Sequence, residues 1–92
     1  MWYTNLQNLK TFGLLHNLTE AFFCHNQIHD ISAIKNCKQI TILNICNNFI
    51  SNIDIIENYK DLLWLEISGN LIVDITVLTT QHNISSFKCS NN

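Results

Sequence analysis

The sequence predicts a repeat protein in which one coil of chain closes every 22 residues, and three observations carry the prediction. The first is a pattern. Ile40 to Ile53 reads ITILNICNNFISNI, and the same alternation stands 22 residues later from Leu62 (LLWLEISGNLIVDI) and 22 earlier from Leu18 (LTEAFFCHNQIHDI). The second is a set of six rows, apolar at every copy. They are Leu6/Ile28/Ile50/Ile72, Leu9/Ile31/Ile53/Ile75, Phe12/Ile34/Ile56/Leu78, Leu18/Ile40/Leu62/Ile84, Ala21/Leu43/Leu65/Phe87 and Phe23/Ile45/Ile67/Cys89. Only 47% of the chain is hydrophobic, so chance does not line these up. The third is a polar row that is just as uniform: Asn26, Asn48, Asn70 and Asn92, headed by Thr4.

These residues resemble the leucine-rich repeat, in the short 22-residue class found in bacterial internalins and in a protein-phosphatase regulatory subunit. The resemblance runs from about Thr4 to Asn92. It implies an α/β fold of solenoid type, a right-handed horseshoe. A short parallel β-sheet would line the concave face, with 3₁₀ or irregular turns on the convex face. It also implies a non-catalytic module that binds another protein through the concave strands. It does not name the partner, since one fold serves many ligands.

Taken in order, the chain is expected to be one domain over 1–92. Residues 1–17 form a partial first repeat, 18–39, 40–61 and 62–83 are full repeats, and 84–92 is a truncated last one. Trp2 and Tyr3 either cap the first coil or mark the edge of a longer array. Each repeat then opens with a strand signal, apolar-x-apolar: Ala21–Phe23, Leu43–Ile45, Leu65–Ile67, Phe87–Cys89. Successive strand side chains face opposite ways, so the middle residue points away from the core.

The asparagine row follows the strand. An asparagine amide both donates and accepts, so Asn26, Asn48, Asn70 and Asn92 are expected to pair the buried backbone of the turns in their own and adjacent coils. The return half places apolar residues three apart, as in Ile50, Ile53 and Ile56, which suits 3₁₀ turns. Asn8, Asp30, Asn52 and Asp74 precede the second member of each trio and are expected to cap the turn from their side chains. In the row Leu15, Cys37, Tyr59, Gln81 the last member is polar, which predicts looser packing there.

Composition narrows the function classes. Net charge is −2 and the five basic residues are scattered lysines, so no stripe fits a nucleic-acid backbone. No apolar run approaches the roughly 18 residues of a membrane span. No secretory leader is visible in MWYTNLQNLK. Four cysteines without a CxxC pair favour a reducing, intracellular and cytoplasmic setting. No cofactor motif and no catalytic constellation are present, so no enzyme is expected. The glycosylation matches at Asn17 and Asn83 are what fourteen asparagines and thirteen serines and threonines produce by chance.

The working surface is then the outward strand residues: Glu20, Phe22, Ile42, Asn44, Trp64, Glu66 and Lys88. Phe22, Ile42 and Trp64 have no core to enter, which is the composition of a contact hot spot, or else of a surface covered by a further segment of chain. Glu66 and Lys88 fall side by side and could pair. Cys24, His25 and Cys46 offer three soft ligands and no fourth, so the expectation is two stacked thiols without metal; a disulfide between them is conceivable but needs a geometry that in-register parallel strands rarely supply. Two alternatives to the intracellular module stay open: a surface or secreted recognition protein of the internalin type, and a metal or redox site at those cysteines. Neither end of the array carries a polar cap, which predicts marginal stability and end-to-end self-association.

Overall fold

The computed structural model describes residues 18–92. The expected partial repeat at 1–17, with Trp2, Tyr3, Thr4, Asn8, Leu15 and Asn17, lies outside the described residues. Four three-residue strands, β1 (Glu20–Phe22), β2 (Ile42–Asn44), β3 (Trp64–Glu66) and β4 (Ser86–Lys88), form one parallel sheet in chain order. The register is the sequence period itself: Ala21 pairs with Leu43, Leu43 with Leu65, and Leu65 with Phe87. A parallel sheet whose spatial order equals its chain order is a solenoid, each coil lying on the one before it.

The connections carry 3₁₀ turns at Ser32–Ile34, Asp54–Asn58 and Thr76–Thr80. No described residue is in an α-helix, so within the expected α/β class the helical part is 3₁₀ throughout. The cause is the spacing of three, which aligns side chains in a 3₁₀ turn and misaligns them in an α-helix. Each turn is entered through an Asx bond. Asp30 Oδ1 accepts from Ser32 N–H at 2.8 Å, Asn52 Oδ1 from Asp54 N–H at 2.8 Å, and Asp74 Oδ1 from Thr76 N–H at 2.9 Å.

The core is the interior of the coil. Ala21, Phe23, Ile28, Ile34, Ile40, Leu43, Ile45, Ile50, Ile56, Leu62, Leu65 and Ile67 have no solvent exposure at all. Three faces thus close on one another: the inner side of the sheet, the turn after it, and the return segment. Tyr59 is also fully buried, and its hydroxyl donates to the Ile34 carbonyl at 2.7 Å. Burial, with Cys37 beside it, pushes the Tyr59 phenol well above its ordinary range, and burial pushes the Cys37 thiol up as well.

One position adds to the sequence reading. Gln81 stands where Tyr59 stands one coil earlier, and its Nε2 donates to the Ile56 carbonyl at 2.7 Å. The polar residue therefore repeats the bond of the tyrosine, with the same offset of 25 residues. The packing around it does loosen, since Ile75 is 46% exposed where Ile53 is 1%.

Candidate functional site

Two columns of side chains run across the outer side of the sheet. Register aligns Glu20, Ile42, Trp64 and Ser86 in the first, and Phe22, Asn44, Glu66 and Lys88 in the second. Alternation along each strand produces this arrangement: the central residues Ala21, Leu43 and Leu65 go inward, and their neighbours go out. Glu20 and Lys88 are exposed, and the other six residues are half-buried. The Phe22 and Trp64 rings lie 6.3 Å apart at 47°, reaching toward each other across β2. That is the tilted geometry aromatic pairs prefer. Both residues of the pair remain only half-buried.

Asn44 and Glu66 also act on the backbone. Asn44 Oδ1 accepts from Cys46 N–H at 3.2 Å, and Glu66 Oε1 accepts from Ser68 N–H at 3.1 Å. Both therefore brace the chain as it leaves the strand. Glu66 and Lys88 are register partners on β3 and β4.

Past the strands the chain turns sharply. His25, Asn47, Gly69 and Asn91 all adopt positive φ, between 55° and 70°. Asparagine and glycine tolerate this region best. At Gly69 a Cβ would approach Asn47 Cα to 3.3 Å and run into the Asn47 side chain, so the glycine makes room for the coil below it.

The next residue in each coil is the asparagine of the polar row. Asn26, Asn48 and Asn70 are buried. Asn48 Nδ2 donates to the carbonyls of Phe23 at 2.9 Å, Ile45 at 3.0 Å and Cys46 at 3.1 Å, while its Oδ1 accepts from Ile28 N–H at 3.1 Å. Asn70 repeats this with Ile45, Ile67, Ser68 and Ile50. Asn92 repeats it with Ile67, Cys89, Ser90 and Ile72. Asn26 donates to Phe23 and Cys24. The side chains of Asn48, Asn70 and Asn92 reach back into the preceding coil and so tie two coils together.

The cysteines depart from expectation. Cys24 and Cys46 form a disulfide, with Cα atoms 4.7 Å apart. That separation lies inside the range a disulfide spans. In-register neighbours on parallel strands stand about 4.8 Å apart, so the register that stacks the two residues also permits the bond. The expected pair of free thiols is overturned, and so is a metal site there, because bonded sulfurs are not thiolate ligands. Cys37 and Cys89 are free.

A second apolar region escaped the sequence reading. Phe49 is 46% exposed, Leu71 59% and Val73 93%, all on the flank beyond the asparagine row. His29 stacks on Phe49 with ring centroids 5.3 Å apart. The signal was available in the column Gln27, Phe49, Leu71, where apolar residues stand at an outward position.

Among known proteins, the sequence pattern of leucine-rich repeats (2 copies) matches residues 16–58. No curated protein matches the chain. Among solved structures, an internalin C2 from Listeria monocytogenes is similar at 26% identity and a TM-score of 0.84, over 87% of this chain and 35% of that one. A leucine-rich-repeat protein of Leptospira interrogans is similar at 26% identity and a TM-score of 0.77, over 85% of this chain and 21% of its own. The functional domain of InlJ from Listeria monocytogenes, which includes a cysteine ladder, shares the fold at 16% identity and a TM-score of 0.65, over 97% of this chain and 23% of its own. This chain thus spans about a third or less of the length of these structures. No helix among the described residues is long and apolar enough to cross a membrane. With a 22-residue parallel register, a matched repeat pattern and solved repeat proteins of the same architecture, the chain has the leucine-rich-repeat fold.

Proposed function

We propose that the chain is a non-catalytic interaction module that holds a partner protein on the outer side of its sheet, through Glu20, Phe22, Ile42, Asn44, Trp64, Glu66 and Lys88. The observation that carries this reading is the Phe22–Trp64 pair, two large aromatic rings kept on a solvent-facing side 6.3 Å apart. Aromatic anchors ringed by polar groups are the usual centre of a protein contact. Glu20 at one edge of the sheet, and Glu66 beside Lys88 at the other, give the face charges of both signs, which orient a protein surface. In this reading the module works in the cytoplasm, needs no cofactor, and associates end to end through its last coil at high concentration.

A second reading, a surface or secreted recognition protein, is favoured by one observation, the Cys24–Cys46 disulfide. Disulfides persist in oxidising compartments. Alkylation of free thiols inside intact cells before lysis separates the two: labelled Cys24 and Cys46 support the cytoplasmic module, and unlabelled ones the exported protein.

The binding face is tested by affinity capture with the wild-type chain and the Phe22→Ala, Trp64→Ala double variant, followed by titration of the captured protein against both. The expected result is a loss of affinity of at least about 30-fold, the size of a hot-spot truncation. Equal affinity for both chains would overturn the assignment of this face.

A further inference from the structure

The two sulfurs of the Cys24–Cys46 disulfide lie in unequal surroundings. Both residues are half-buried, so neither is sealed in the core. Asn47 Nδ2 stands 3.7 Å from Cys46 Sγ with its N–H directed at the sulfur. Asn44 Oδ1 stands 2.6 Å from Cys24 Sγ. A disulfide sulfur has no proton to give, so while the bond is closed that oxygen takes its proton from Cys46 N–H instead. Once the bond opens, the two contacts act in opposite directions. A donor beside a sulfur stabilises the thiolate, and an acceptor beside a sulfur stabilises the protonated thiol.

We propose that this disulfide is a thiol-exchange site with a built-in direction, in which low-molecular-weight thiols attack Cys24 and expel Cys46. The step balances. A thiolate R–S⁻ forms a new bond to Cys24 Sγ, the Cys24–Cys46 bond breaks, and its electron pair leaves on Cys46 Sγ as a thiolate held by the Asn47 amide. One disulfide is consumed and one is made. A second thiolate then attacks the outer sulfur of the mixed disulfide, giving R–S–S–R and a Cys24 thiolate, which takes a proton from water and then donates it to Asn44 Oδ1. Exchange is faster when the leaving sulfur is the better thiolate, and that sulfur is Cys46. Asn47 is suited to the task because the residue must also hold a left-handed φ of 55°, which asparagine tolerates.

The inference stands apart from the partner-binding face, because it concerns small thiols and is read without any partner. The test uses the full oxidised chain carrying Cys89→Ser, which leaves Cys37 as the only other cysteine, and that residue is buried. The protein is exposed to reduced glutathione, quenched with acid, and mapped by peptide mass spectrometry. Glutathione is expected on Cys24 in at least about five-fold excess over Cys46. Asn47→Asp keeps the shape and the backbone tolerance but replaces the donor with a negative oxygen, and is expected to bring the two positions to near parity. Asn47→Gly keeps the φ and removes the donor, and should shift the ratio the same way, with circular dichroism showing the coil retained. Adducts equal or reversed in the parent chain, a ratio unmoved in both Asn47 variants, or two alkylatable thiols in the oxidised protein would each overturn the proposal.

Discussion

The middle coils and the last coil are written in the same pattern and end in different surroundings. Leu65 on β3 and Ile67 just past it have no exposure; their counterparts one coil on are Phe87, 40% exposed, and Cys89, half-buried. Ile56 is fully buried, while Leu78 is half-exposed. Yet Asn92, which is exposed, makes the same bonds as Asn70, because each asparagine reaches backward and not forward. The pattern therefore encodes the shape of a coil, and the coil that stacks on it supplies the burial. Most of the stabilisation in such a solenoid resides in the contacts between neighbours.

Substitutions can break this contrast. The largest effect is expected from Asn48→Leu, which strips hydrogen bonds from the buried backbone of Phe23, Ile45 and Ile28. Orphaned buried groups cost about 1–3 kcal/mol each, so a loss on the order of 4 kcal/mol in urea unfolding is predicted, enough to unfold a small domain. Asn92→Leu should cost about 1 kcal/mol or less, because water reaches the freed groups. Next comes Leu65→Ala at about 3 kcal/mol, against about 1 kcal/mol or less for Phe87→Ala. Equal losses at the two positions would mean that the last coil is covered in solution.

Smaller effects sharpen the comparison. Tyr59→Phe removes the donor to the Ile34 carbonyl and is expected to cost about 1–2 kcal/mol, with Gln81→Ala costing less because that side chain is half-exposed. Tyr59 also sets a pH dependence. Its folded value is raised, so its contribution is fully present below the unfolded value of about 10 and is lost as pH rises through the folded one. Alkaline titration of stability should therefore flatten in Tyr59→Phe. The smallest effect is local. The Thr76 backbone N–H, then the Thr76 hydroxyl, lower the Asp74 value, so this cap is present above the ordinary carboxylate range and weakens as pH falls through the lowered value. The Thr76 amide resonance should move with acid, and that of Asp54, capped by the untitratable Asn52, should not move through its cap.

Much of this was legible beforehand, for a physical reason. A fixed period makes every inference about one coil a constraint on the others, so the strands, the 3₁₀ spacing and the Asx caps at Asp30, Asn52 and Asp74 could be read together. What escaped depends on distance and exposure instead of pattern. The 22-residue register already set Cys24 beside Cys46, but whether their sulfurs meet depends on side-chain rotamers that no spacing rule specifies. The stripe of Phe49, Leu71 and Val73 lies in columns that mix polar and apolar residues, so the uniform rows did not point to it. Gln81 looked like a defect because its row is otherwise apolar or aromatic, and its bond to Ile56 becomes visible only when the coils are stacked.

The central claim is that the asparagines lock each coil to the one before it. Hydrogen exchange of the side-chain amides, followed by NMR, tests it most directly. The account predicts that the Nδ2 protons of Asn26, Asn48 and Asn70 exchange far more slowly than those of the exposed Asn36 and Asn91. Exchange at one common rate for all five would contradict it.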